Sequence, residues 1–255
     1  PIQINYSITN PITSGSPIID YIITDINDKV LRADNPYTEK VLRIENPIPL
    51  SFSFLDNENN FKVENMQDKK GKIFYFIPEP NVLLRMSIKY QEMLLKILDN
   101  VENSILYIQN FSDNRYIRYI SNIHKELKNY IDNNRIIFIP NLSIEDRYNF
   151  MKICDIILDT PTNTTPLYCL FAIKAKKPFI TYPQIYYNTR IPYSIFKRLN
   201  QLSYVAISED NYVKLASDVS ITKMKGEKKF TSDIIYNEFT KQNNSKSFLN
   251  TLLNL

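Results

Sequence analysis

The sequence predicts an α/β protein in which a parallel sheet carries helices on both faces. Two observations predict it. From residue 72 onward, short apolar runs rich in Ile, Tyr and Phe alternate with stretches of helical periodicity, the pattern of βαβ units with right-handed crossovers. The runs are also continuously apolar, as strands covered on both sides must be. Residues 73–222 therefore read as a Rossmann-like domain.

The first strand is 73–78 (IFYFIP), which ends at a proline. In the helix after it, Tyr90, Met93, Leu94, Ile97, Leu98 and Val101 share one face and Ser87 is the expected N-cap. Strand 105–109 (ILYIQ) leads to a helix with Ile117, Ile120, Ile123, Leu127 and Ile131 on one side, and His124 falls on its polar surface. Strand 135–140 (RIIFIP), helix 144–154, strand 155–160 (DIILDT), helix 166–177 and strand 178–182 (PFITY) follow. A helix near 190–199, strand 204–208 and helix 211–219 complete the alternation. Ser143 and Asp146 have capping-box spacing, with Asp in place of Glu or Gln. Upstream, residues 2–6 and 18–24 are strand-like, but residues 1–55 are too few to close a second domain. Residues 56–72 are polar and read as a linker, and 223–255 as a tail ending in an amphipathic helix, 246–255.

Composition excludes several functions. Of 255 residues only three are Gly, where about 18 are usual. Gly15, Gly71 and Gly226 are far apart, so no glycine-rich phosphate loop exists. One histidine, His124, leaves neither a His-based metal site nor a conventional Ser/His/Asp triad, and no metal is expected. Cys154 and Cys169 are too few for a disulfide scaffold and suit a reducing compartment, hence a cytoplasmic setting. A net charge of +4 is too mild to imply nucleic acid. The basic cluster at Lys223, Lys225, Lys228 and Lys229 reads as a solvated connector. No apolar run approaches the roughly 20 residues of a membrane-spanning helix. The chain opens at Pro1 within strand-like sequence, without a signal-peptide core, and reads as a piece of a longer protein.

In an open parallel sheet, ligands bind beyond the carboxyl ends of the strands and near helix N-termini. The most informative loop there is Thr160-Pro161-Thr162-Asn163-Thr164-Thr165-Pro166. Pro166 suits a first helical turn with Thr165 as N-cap. Its hydroxyls either cap the helix or hold a diphosphate. Arg85, after the first strand of the domain, is a second phosphate candidate, because guanidinium matches phosphate oxygens.

Residues 13–25 (TSGSPIIDYIITD), 37–44 (YTEKVLRI), 103–106 (NSIL), 135–138 (RIIF) and the run from Asp155 to Pro161 together resemble the catalytic region of O-GlcNAc transferases, glycosyltransferase family 41. The resemblance runs from about residue 2 to about residue 220 at nearly gap-free spacing. It implies the C-terminal half of a GT-B fold, plus the last piece of its N-terminal domain, with a UDP-sugar in the cleft between the two domains. The family's C-terminal helix returns toward the first domain, a role 246–255 can fill. Histidines near donor and acceptor would lie in sequence this chain lacks, often behind tetratricopeptide repeats. No general base is therefore named.

Carried over residue by residue, the family's phosphate-contacting Lys becomes Arg85 and its uracil-contacting backbone falls on Asn141 and Leu142. A following His becomes Arg147. The family's His-Thr-Thr loop matches Asn163-Thr164-Thr165 if a small insertion follows. Without the insertion it matches Pro166-Leu167-Tyr168, and the ribose-binding Asp becomes Tyr168 or Phe171. Thr13, Ser14 and Gly15 match a cleft loop of the N-terminal part. The resemblance implies an enzyme that moves a sugar, GlcNAc in the family, from UDP to Ser or Thr of a protein or peptide. No cofactor is implied, because the UDP-sugar is a substrate. The alternative is a catalytically degenerate GT-B domain serving as a scaffold or binding module, since the ribose carboxylate and the histidine at 147 are gone.

Overall fold

Two parallel sheets organise the chain. A computed structural model describes residues 1–6, 13–26, 37–44, 68, 70–79, 86–109, 125–162, 165–184, 189–218, 220, 249, 250 and 253. The smaller sheet orders β1 (Ile4–Asn5), β2 (Tyr21–Asp25) and β3 (Lys40–Ile44) as β1-β2-β3. The larger contains β4 (Ile73–Ile77), β5 (Ser104–Gln109), β6 (Ile136–Ile139), β7 (Ile156–Leu158) and β8 (Phe179–Ile180) in the order β6-β5-β4-β7-β8. The chain winds outward from β4 to β6, then crosses back to β7 on the other side of β4. That reversal opens a crevice at the carboxyl ends of β4 and β7, where doubly wound sheets bind ligands.

The helices are α1 (Ile88–Asn100), α2 (Lys125–Asp132), α3 (Ile144–Ile153), α4 (Pro166–Lys174), α5 (Ile191–Arg198) and α6 (Glu209–Ser217). They cover both faces of the larger sheet, as alternate residues of β4 demonstrate. Phe76 meets Phe150 of α3 edge-on with ring centroids 4.7 Å apart, and Phe74 meets Tyr107 of β5 at 5.3 Å. Tyr75 points the opposite way and donates its hydroxyl to the Ala216 carbonyl of α6 at 2.7 Å. Both faces being dry, β4 is apolar at every position, and Phe74 through Ile77 are fully buried.

Serines cap three helices, as their preference for that position leads one to expect. Ser87, Ser143 and Ser208 accept from the amides of Tyr90, Asp146 and Asn211. Asp146 is too short to close the capping box on the Ser143 amide and accepts from the Ser143 hydroxyl instead, at 2.8 Å. Scarcity of glycine leaves its mark at helix C-termini. Asn134, Lys176 and Asn200 take the left-handed position after α2, α4 and α5, with φ of 56°, 57° and 55°. In each case the next amide closes back onto the helix, as from Lys177 to Ala172 at 2.8 Å.

Several boundaries differ from those read in sequence. The strand expected at 204–208 is replaced by a 3-10 turn at Leu202–Tyr204 and a single bridge between Thr181 and Val205. β8 is only two residues long, and Ser208 turns the chain into α6, so no longer ladder forms. That cap also starts α6 at Glu209 rather than at 211. Of the helix carrying Ile117 to Ile131, only α2 is described; Ile117, Ile120, Ile123 and His124 lie outside the described residues. So do most of the linker and the Lys223–Lys229 cluster. Within 246–255, Leu249, Asn250 and Leu253 are helical and exposed. No helix among the described residues is long and apolar enough to cross a membrane.

Candidate functional site

At the crevice, β4 runs into Pro78 and Glu79, and β7 into Asp159 and Thr160. The Thr165 hydroxyl donates to the Glu79 carboxylate at 2.8 Å, joining the loop before α4 to the end of β4. Thr165 stands at the N-cap position of α4 with Pro166 in the first turn, as expected, but its hydroxyl makes no capping bond because Glu79 holds it. Asp159 is clamped more deeply. Its carbonyl accepts from the Tyr90 and Tyr212 hydroxyls at 3.0 and 2.8 Å, and its carboxyl from the Thr181 hydroxyl at 2.6 Å. Burial raises the Asp159 pKa well above the usual carboxyl range, Glu79 adds to the shift, and hydrogen bonds from Thr181 and Thr160 oppose it. Two buried acids thus flank the crevice.

Beside the crevice, three expected residues meet in one polar network. Arg147 of α3 donates from Nε to Gln109 at 2.8 Å and from Nη1 to the Tyr168 hydroxyl at 2.5 Å. Its Nη2 reaches the Leu142 carbonyl at 3.0 Å and Asn141 at 3.3 Å. The guanidinium also lies over the Tyr168 ring, 5.0 Å from its centroid. Gln109 closes the set by donating to Asn141 at 2.6 Å. The network explains how a long cation can be buried in the first turns of α3: every edge of the fork has an acceptor.

In the N-terminal part, the 13–15 loop and the Tyr37–Lys40 stretch meet at Glu39. The Glu39 carboxylate accepts from the Thr13 hydroxyl at 2.7 Å and from the Ser14 amide at 2.6 Å. Burial alone would raise its pKa, but the bonds from Ser14 and Thr13 outweigh that and hold it down at about 2. Gly15 has φ of +65° while a Cβ there would meet nothing, so the turn demands glycine for its backbone and not for space. Asp25, at the carboxyl end of β2, pairs with Arg198 of α5 at 2.9 Å.

Arg85, Asn163 and Thr164 lie outside the described residues. Among the described residues, no group of three His, Cys, Asp or Glu side chains is arranged to hold a metal. Sequence reasoning gives no individual role to Glu79, Gln109, Asp159 or Glu39, although Glu39 lies in the 37–44 stretch and Asp159 in the Asp155–Pro161 run that carry the resemblance. The available signal was positional for three of them: Glu79, Gln109 and Asp159 each stand at or just beyond the carboxyl end of a strand.

The model of Glycosyl transferase family 41 matches residues 73–249. Among curated protein sequences, none matches the chain. Among solved structures, a mutant of the Thermobaculum terrenum O-GlcNAc transferase superposes with a TM-score of 0.69 at 16% identity, covering 100% of this chain and 47% of that one. TarM gives a TM-score of 0.54 at 13% identity, covering 91% and 43% of the two chains. Anabaena HepE, solved with UDP and glucose, gives 0.50 at 12% identity, covering 93% and 64%. At these identities the likeness establishes the fold. The chain spans about half the length of the first of these structures.

Proposed function

The chain belongs to glycosyl transferase family 41, and on that premise we propose that it supplies the donor-nucleotide domain of a glycosyltransferase. The reaction moves a sugar, GlcNAc, from UDP to Ser or Thr of a protein or peptide, in the cytoplasm, with no metal or cofactor. The observation that carries this reading is the crevice between β4 and β7. There the start of α4 is left uncapped by Thr165, beside a polar network that links the end of β5 to the loop after β6. Amides at a helix N-terminus favour an anion, and such a site needs neither a glycine-rich loop nor a metal. In this reading Asn163, Thr164, Thr165 and Arg85 receive the leaving diphosphate, which stabilises charge as it develops on the β-phosphate. Asn141, Leu142 and Arg147 border the nucleobase. The Thr13–Gly15 loop, held by Glu39, faces the cleft from the N-terminal part.

One observation favours the second reading, a degenerate binding module. The Arg147 guanidinium and the Leu142 carbonyl already satisfy each other, and Tyr168 offers no carboxylate to a ribose. Calorimetric titration of the full chain with UDP separates the two. The enzyme reading expects binding that Arg85→Ala weakens. No heat at millimolar UDP would leave the binding-module reading in its place.

A further inference from the structure

Helix α5 buries a cation that meets no anion among the described residues. Arg190, at the N-cap position of α5, is 8% exposed. Its Nη1 donates to the Gln184 carbonyl at 3.2 Å and its guanidinium lies 5.2 Å from the Tyr193 ring centroid. Its Nε has no partner. One turn on, Ser194 is 1% exposed and its hydroxyl also has no partner. Residues four apart lie on one helix face, so two orphaned polar groups share a face of α5. On the same face, one turn further, Arg198 has found its counter-ion in Asp25. Buried polar groups without partners are rare and costly, the more so when one is charged.

The place is as telling as the chemistry. Arg190 follows β8, whose end is tied to the end of β7 by the bond from Thr181 to Asp159. The residue thus belongs to the same carboxyl edge of the sheet as the crevice. Guanidinium Nε with a neighbouring hydroxyl is a donor pair suited to a tetrahedral oxyanion.

We propose that Arg190 and Ser194 form an oxyanion subsite that takes a phosphoryl group of the substrate, its identity as the donor diphosphate resting on the function proposed above. Binding of the ligand supplies the acceptor that Nε and Oγ lack. An orphaned hydroxyl kept for a ligand weakens the empty protein. Ser194→Ala is therefore expected to raise the melting temperature of the ligand-free chain while weakening binding.

The test titrates the full chain, Ser194→Ala and Arg190→Gln with UDP, uridine and inorganic pyrophosphate by calorimetry, alongside thermal melts. Expected losses for UDP and pyrophosphate are about threefold for Ser194→Ala and at least about tenfold for Arg190→Gln, with uridine unchanged. If Arg190→Gln fails to fold, the serine variant still decides. Wild-type binding of UDP with both variants binding it equally well overturns the subsite and leaves the donor reading standing. Wild-type binding of pyrophosphate but not UDP, lost in the variants, supports the subsite and removes the donor reading. Binding of neither probe overturns both.

Discussion

Arg198 of α5 and Asp25 of β2 form an ion pair at 2.9 Å, with their side chains 15% and 3% exposed, and so join the two sheets electrostatically. Removing one member of a buried pair strands the other charge, which typically costs 3–5 kcal/mol. Arg198→Met and Asp25→Asn are each expected to destabilise the chain by about 3 kcal/mol. The double replacement Asp25→Leu with Arg198→Met should recover most of that loss, because two desolvated charges vanish together. Urea denaturation of the three variants measures it. Additive losses would show that the pair is not coupled.

Glu39 carries a pH dependence. Its folded pKa is held at about 2, below the ordinary value of 4.5. A depressed carboxyl stabilises the fold above the unfolded pKa and loses that stabilisation as pH falls through the folded one. The contribution is thus complete above about pH 5 and disappears between there and about pH 2. Glu39→Gln should flatten the stability profile in that window and loosen the Thr13–Gly15 loop. Chemical denaturation at a series of pH values checks both the sign and the range.

The network around Arg147 makes a separate prediction. Tyr168→Phe removes the acceptor for Nη1 and leaves a charged donor unpaired, a loss of about 2 kcal/mol. Arg147→Lys should cost at least as much. An ammonium cannot span Gln109, Tyr168 and Leu142 as the planar fork does. Equilibrium unfolding reads the stability, and uridine titration of the same variants reports whether the network borders the base.

How much of this was legible beforehand follows from periodicity. Runs such as Ile73–Ile77 are apolar throughout because both sheet faces are covered, so the strands and their alternation with helices could be read directly. Serine caps could be read as well, since Ser87 and Ser143 immediately precede periodic stretches. The 3-10 turn at Leu202–Tyr204 could not, because Val205 pairs through one bridge and an apolar run alone does not reveal how long its neighbour is. Thr165 was located but its partner was not. Whether a hydroxyl caps its own helix or crosses to Glu79, 86 positions earlier, is decided by the pairing of β4 beside β7. The 37–44 stretch that contains Glu39 and the Thr13–Gly15 loop read as separate pieces for the same reason: only the fold makes them neighbours.

Lys176 shows what the scarcity of glycine costs. It is exposed at φ 57° after α4, where a Cβ crowds the following carbonyl. Lys176→Gly removes that strain while adding some freedom to the unfolded chain, so a net gain of about 0.5 kcal/mol is expected. Asn134 and Asn200 tolerate this conformation better, and glycine there should gain less. Urea midpoints of the three variants rank the sites, and an equal gain at all three would contradict the argument.

Glu79 sets the electrostatics of the crevice. Its carboxylate is buried, holds the Thr165 hydroxyl, and stands beside the start of α4. Negative charge there suits the helix dipole while the crevice is empty, yet it repels a diphosphate arriving at the same amides. Glu79→Gln keeps an acceptor for Thr165 and removes the charge. Two effects of opposite sign follow: stability falls by about 0.5–1 kcal/mol as the favourable dipole interaction is lost, and UDP affinity rises by about tenfold, or about 1.4 kcal/mol. Uridine, lacking phosphate, should bind the variant and the wild type alike. Calorimetry with both ligands, paired with denaturation, separates the terms. Weaker UDP binding by Glu79→Gln would mean that the carboxylate serves the ligand through the Thr165 hydroxyl it orients, rather than opposing it.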